Sequence, residues 1–62
     1  MSRYYGYVLI DFMDGTTERV GGNRERLGDG MLVVYTARDY GPDTDVRHFP
    51  LANIKSWRWE GE

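Results

Sequence analysis

The dipeptide Asp14-Gly15, which separates two stretches rich in strand-forming residues, constrains the fold of this chain most strongly. Aspartate followed by glycine is typical of a tight hairpin, because glycine adopts positive φ without a steric penalty. Residues 4–12 and 16–20 are therefore predicted to form an antiparallel pair of strands. In the first strand the even-numbered residues are the better core face, since Asp11 on the other face would be costly to bury unpaired.

Two more strands are predicted in the middle of the chain. Residues 31–38 are apolar on both faces at their start, which is typical of a central strand buried on two sides. Residues 39–45 contain glycine, proline and three aspartates and are predicted to form an exposed turn. Residues 46–49 are then the partner strand, and Pro50 breaks the pairing because proline has no N–H to donate.

Two short segments are predicted to be helical turns. In residues 23–27 an asparagine stands where it can cap a turn, and Gly28 stands where it can end one. A mobile loop is the equal alternative there, because one helical turn is marginal alone. Residues 50–53 are predicted to form a 3₁₀-like turn that leads into a final strand over residues 54–60.

This order of elements resembles the plan of small SH3-like barrels. The resemblance is to an architecture and not to a sequence family, because the chain lacks the acidic, tyrosine-bearing loop of peptide-binding SH3 domains. It also lacks the glycine and asparagine signatures of Sm-like proteins. We therefore predict one all-β domain over residues 1–62, a five-stranded antiparallel SH3-like barrel, with an open twisted antiparallel sheet as the alternative.

The chain has 62 residues and no cysteine, which limits how such a fold can be stabilised. A domain of this size buries only about 60% of the surface that its unfolded chain exposes. Its core then contributes about 3–5 kcal/mol net unless a disulfide, a metal or oligomerisation adds to it. Without cysteine, disulfides and thiolate–zinc sites are excluded. Self-association is the expected addition, so we predict a homodimer or a larger homo-oligomer.

Charge and hydropathy bear on the partners and the location. The formal net charge is −2, with acidic and basic residues interspersed. This argues against a general binder of phosphate backbones, which normally carries a basic patch. The longest clean apolar run, residues 31–35, is too short to span a bilayer, and the first residues lack a secretory apolar segment. We expect a soluble cytoplasmic protein that does not contact membranes.

No residue pattern indicates catalysis or a bound cofactor. His48 is the only histidine and could form a triad with Ser56 and an aspartate, but nothing in the spacing supports one. Asp39, Asp43 and Asp45 could offer oxygen ligands to a cation, yet the longer pattern of a calcium loop is absent. We predict a solvated turn there, no metal site, no cofactor and no enzymatic activity.

The two tryptophans give the sharpest functional signal. Trp57 and Trp59 are two residues apart, so in an extended strand both rings lie on one face. They must be covered by the core, by a partner or by a ligand. A purely structural interpretation is that one ring closes the core and the other caps its rim.

We predict a non-enzymatic module that acts through protein–protein interaction and self-association, because tryptophan, tyrosine and arginine dominate interface hot spots. Size alone suggests an accessory protein of phages or bacteria. The alternative is a small barrel that binds single-stranded nucleic acid by aromatic stacking. The predicted interaction surface consists of Trp57, Trp59, Arg58, Lys55, Tyr5 and Tyr7.

Overall fold

The computed structural model describes residues 6–61 of the chain and contains two three-stranded antiparallel sheets. The first sheet has the strand order β2-β1-β6 and the second β3-β4-β5. The all-β prediction is confirmed. The described strands do not close into a barrel, so the open-sheet alternative fits. In chain order the elements are β1 (Gly6–Phe12), β2 (Thr17–Gly22), β3 (Arg24–Gly28), β4 (Met31–Thr36), β5 (Thr44–Pro50), a 3₁₀ turn (Leu51–Asn53) and β6 (Ile54–Gly61).

The hairpin predicted at Asp14-Gly15 is confirmed. Gly15 has a φ of 92° and its N–H donates to the carbonyl of Phe12 at 3.0 Å. The carboxylate of Asp14 accepts hydrogen bonds from the hydroxyl and the backbone N–H of Thr16, at 2.6 and 2.9 Å. These two bonds lower the pKa of Asp14. The turn therefore gains its shape from glycine and its polar contacts from aspartate.

The prediction of a helical turn or loop over residues 23–27 is wrong, because this segment forms β3. All five residues of β3 pair with β4, from Arg24 opposite Tyr35 to Gly28 opposite Met31. The two strands are joined by Asp29-Gly30, in which both residues have positive φ, as a type I′ hairpin turn requires. Residues 6–61 therefore contain six strands, where five were predicted.

A bend at Gly22 and Asn23 takes the chain from the first sheet to the second. The backbone N–H of Asn23 donates to the carbonyl of Tyr35. Its side-chain oxygen accepts from the N–H of Ala37 at 2.8 Å, and its side-chain nitrogen donates to the carbonyl of the same residue. A Cβ on Gly22 would lie 2.8 Å from the backbone carbonyl oxygen of Tyr35. The close approach of these two backbone segments therefore requires glycine at position 22.

The hydrophobic core lies between the two sheets. The even-numbered face of β1 points into it, as predicted, since Val8 and Ile10 are fully buried. Val33, on the opposite face of β4 from Leu32, is also buried, so the prediction of a central strand buried on both sides is confirmed. The core cluster consists of Val8, Ile10, Val20, Leu32, Val34 and Phe49, with Phe12, Leu51, Ile54, Trp57 and Trp59 packed around it.

The remaining predicted elements are confirmed with shifted limits. The described part of β1 starts at Gly6, so Tyr4 and Tyr5 lie outside the described residues. The partner of β4 extends from Thr44 to Pro50, which shortens the exposed turn, and Pro50 is its last residue. The 3₁₀ turn is docked by the N–H of Leu51, which donates to the carbonyl of Gly30.

No helix within residues 6–61 is long and apolar enough to cross a membrane.

Candidate interaction surface

Trp57 and Trp59 lie on one face of β6, as the spacing predicted. Trp57 is opposite Ile10 and Trp59 is opposite Val8 in the pairing of β6 with β1, so both indoles are on the core-facing side of the first sheet. Both pack against the core cluster, and both are half-buried. The two rings therefore share one environment; neither is sealed inside the subunit.

The carboxylate of Glu25 connects the two indoles to the second sheet. The Nε1–H groups of Trp57 and Trp59 both donate to Oε1 of Glu25, at 3.0 and 2.7 Å. Glu25 is opposite Val34 in the pairing of β3 with β4, so its side chain also lies on the core-facing side. Hydrogen bonds to an ionised acceptor are stronger than neutral ones. This pair of bonds fixes both rings at the margin of the core.

An open groove of about 560 Å³ lies beside this contact and is lined by Asn23, Arg24, Glu25 and Trp59. Leu27, two residues from Glu25 and on the same face of β3, leaves 54% of its surface exposed. The groove therefore combines indole surface with charged and polar groups, and exposed leucine surface lies further along the same face of β3. This composition is suited to contact with another polypeptide.

Two of the other predicted surface residues, Arg58 and Tyr7, are on the opposite face of the first sheet. Arg58 is opposite Leu9, and its Nε donates to a carboxylate oxygen of Glu60 at 2.8 Å. Tyr7 lies on this same face, with the guanidinium of Arg19 4.4 Å from its ring centroid. Lys55 is exposed, and Tyr5 lies outside the described residues. The prediction thus combined residues from two separate faces.

Asp11 is the centre of a polar cluster on that outer face. Its carboxylate accepts hydrogen bonds from Oγ1 of Thr17 at 2.8 Å and from Oγ of Ser56 at 3.2 Å. A guanidinium nitrogen of Arg58 lies 4.0 Å away. The two hydroxyl bonds, followed by the positive charges of Arg58 and Lys55, lower the pKa of Asp11. The cluster connects all three strands of the first sheet.

The residues that could have formed a catalytic triad are not brought together. His48 is exposed on β5 in the second sheet, opposite Val33. Ser56 belongs to β6 and donates to Asp11 on the first sheet. Within residues 6–61, no three side chains of the types that ligate metals form a group able to hold an ion.

Glu25 is not among the residues predicted from the sequence. It lies in the charged segment 24–26, where a glutamate carries no pattern of its own and resembles any solvated residue. Comparisons with protein-family models, with curated proteins and with solved structures found no match to this chain. The function must therefore be argued from the site alone.

Proposed function

We propose that this protein is a small non-enzymatic interaction module that self-associates through the edge of β6 with which no described strand pairs. The observation that carries the proposal is the position of this eight-residue strand. It forms an edge of the first sheet and holds both tryptophans at the margin of the core. An unpaired edge is a template for another strand, and half-buried indoles gain further burial when a partner covers them.

The charges on β6 support one particular pairing. In an antiparallel dimer with its two-fold axis at Trp59, each Arg58 is opposite the partner's Glu60, and the two Trp59 side chains are neighbours. Opposite charges directly across a strand pair stabilise it, and like charges destabilise it. Arg58 and Glu60 already form a hydrogen bond within one chain, so the dimer exchanges this contact for the equivalent one between chains.

The test is a pair of charge-reversal variants measured by light scattering. The wild-type protein is expected to have about twice the 7.2 kDa mass of the chain. Arg58→Glu alone and Glu60→Arg alone place like charges across the interface, so each variant should remain monomeric. Mixed in equal amounts, the two variants have opposite charges at every such position and should form a heterodimer.

The mixture controls for effects within one chain, because mixing leaves the contacts inside each variant unchanged. A monomeric wild-type protein at tens of micromolar would contradict self-association. A wild-type dimer that both single variants retain would contradict the β6 interface.

Binding of single-stranded nucleic acid is the second candidate, since indoles can stack on bases at about 1–3 kcal/mol per base. Both indoles donate hydrogen bonds to the carboxylate of Glu25, and this negative charge would repel a nearby phosphate. We therefore rank nucleic-acid binding below self-association. It requires that oligonucleotide quenches tryptophan fluorescence and that the affinity falls steeply with salt. No quenching at low salt would exclude it.

We also propose that the two sheets represent an SH3-like plan in which β2 and β3 are the two halves of one bent strand. The 3₁₀ turn before the last strand and the pairing of the first strand with the last support this plan. Backbone proton contacts between β5 and β6, measured by NMR, would indicate closure in solution. Their absence would leave two open sheets.

A further inference from the structure

We propose that the free edge of β3 binds an extended acidic segment of a partner protein as an added antiparallel strand. This extends the proposed interaction function to a second edge, and it does not depend on self-association through β6.

β3 has the properties of an acceptor strand. It is an edge of the second sheet, and among the described strands only β4 pairs with it. All five of its residues are exposed. In strand addition the backbone hydrogen bonds of such an edge supply affinity, and the alternating side chains supply specificity. The side chains of β3 therefore define the partner.

The outer face of β3 carries two arginines that pair with no acidic side chain in the described part of the chain. Arg24 and Arg26 are two residues apart on one face, which places them about 7 Å apart along the strand. The guanidinium of Arg26 lies 5.3 Å from the ring centroid of Tyr35, and this cation–π contact stabilises the arginine side chain on the outer face. Within residues 6–61 neither arginine forms an ion pair. In an extended segment, carboxylates at alternate positions are also about 7 Å apart, so each can lie beside one of the two arginines.

The inner face of β3 specifies the residues between those carboxylates. Glu25 and Leu27 point to the side of the indoles, where the groove opens beside Trp59. Leu27 is more than half exposed there. Apolar side chains on the incoming strand would cover this surface, and an acidic side chain would be repelled by Glu25. The expected segment therefore alternates acidic and apolar residues.

The same charges disfavour two other occupants. If β3 paired with its own copy about a two-fold axis over all five residues, Arg26 would be opposite Arg26 of the copy, which is destabilising. A nucleic acid strand would place phosphates beside Glu25, and the chain as a whole has a net charge of −2. An extended polypeptide can place carboxylates beside the arginines of the outer face and apolar side chains beside Glu25 and Leu27 on the inner face.

The experiment measures binding of a fluorescently labelled, capped heptapeptide in which glutamate and valine alternate, by anisotropy at low salt. The intact chain should bind it saturably. Replacing both arginines, Arg24→Glu and Arg26→Glu, should weaken binding at least about tenfold. The matched control is Arg19→Glu with Arg38→Glu, which changes the net charge equally at exposed positions outside β3 and should retain most of the affinity. Thermal melting checks that both double variants fold.

Three results would overturn the proposal: no binding by the intact chain, equal loss in the two double variants, or tighter binding of a single-stranded oligonucleotide than of the peptide. Amide exchange provides a second measurement. Bound peptide should protect amides of β3, and protection confined to β6 would contradict the assignment. Loss of peptide binding with an intact dimer, or the reverse, separates this proposal from the proposed function.

Discussion

At the scale of single residues, Glu25 does the most to define the candidate surface. One of its carboxylate oxygens, Oε1, accepts hydrogen bonds from both indoles. It thereby connects β6 of the first sheet to β3 of the second. Without this acceptor the two N–H groups would depend on water, and only packing against the core would orient the rings. The orientation of the aromatic surface is thus a property of a residue on another strand.

Replacement of Glu25 tests this role. Glu25→Ala removes the acceptor and should lower the free energy of unfolding by about 1–2 kcal/mol, since the bonds are charge-assisted but exposed. The tryptophan emission should shift to longer wavelength as the indoles become more hydrated. Glu25→Gln retains a carbonyl oxygen and should preserve most of both properties. An alanine variant with unchanged emission would show that the carboxylate does not position the rings.

At the scale of elements, β3 marks the limit of what the sequence predicts. The alternation in residues 6–12 follows from a core on one face, and the continuous apolar run at residues 31–35 follows from burial on both faces, so these strands could be predicted. In β3 both faces are exposed, so burial imposes no alternation, and Asn23 and Gly28 mimic helix caps. The signal that was present is Asp29-Gly30, the same hairpin dipeptide as Asp14-Gly15, which implies a strand on each side.

The candidate site could also be predicted only in part. The spacing of Trp57 and Trp59 gave their common face, because the period of a strand is two. The same alternation places Arg58 on the opposite face, but it does not show that Tyr7 and Arg19 share that face with it, since this depends on which strands pair and in which register. Nor could it show which acceptor the indoles find, because Glu25 is distant in sequence.

The bend between β2 and β3 gives a prediction for neighbouring glycines. A Cβ at Gly22 would lie 2.8 Å from the Tyr35 carbonyl oxygen, so Gly22→Ala must displace backbone and should cost about 1–3 kcal/mol. Gly21→Ala is the matched control, because no atom lies within 4 Å of its added Cβ. Thermal or urea unfolding of both variants measures the difference. Equal stabilities would mean that the bend relaxes without strain.

At the scale of the whole molecule, the carboxylate of Asp11 links stability to pH. Its pKa in the folded state lies below the ordinary value of 3.8. A depressed folded pKa contributes stability that is complete above the unfolded pKa and is lost as the pH falls through the folded one. The protein should therefore lose stability on acidification below about pH 4.

The largest cause of this depression is the hydrogen bond from Thr17, so Thr17→Val isolates it. The variant should raise the pKa of Asp11 toward its ordinary value, as measured by NMR titration of the carboxyl carbon. The acid limb of its stability curve should be correspondingly flatter. Ser56→Ala removes the second hydroxyl and should act in the same direction. If the titration of Asp11 is identical in Thr17→Val and the parent, the hydroxyl bond is not formed in solution.

The uninterrupted backbone from Thr17 to Gly28 has a mechanical consequence. This one run supplies an edge to each sheet, and Asn23 anchors it at the crossing point. Force or heat that detaches β2 from β1 is transmitted to β3 through a single connecting residue, Asn23. We therefore expect the detachment of either half to disturb the hydrogen bonds of the other, so that the two sheets unfold in one cooperative transition.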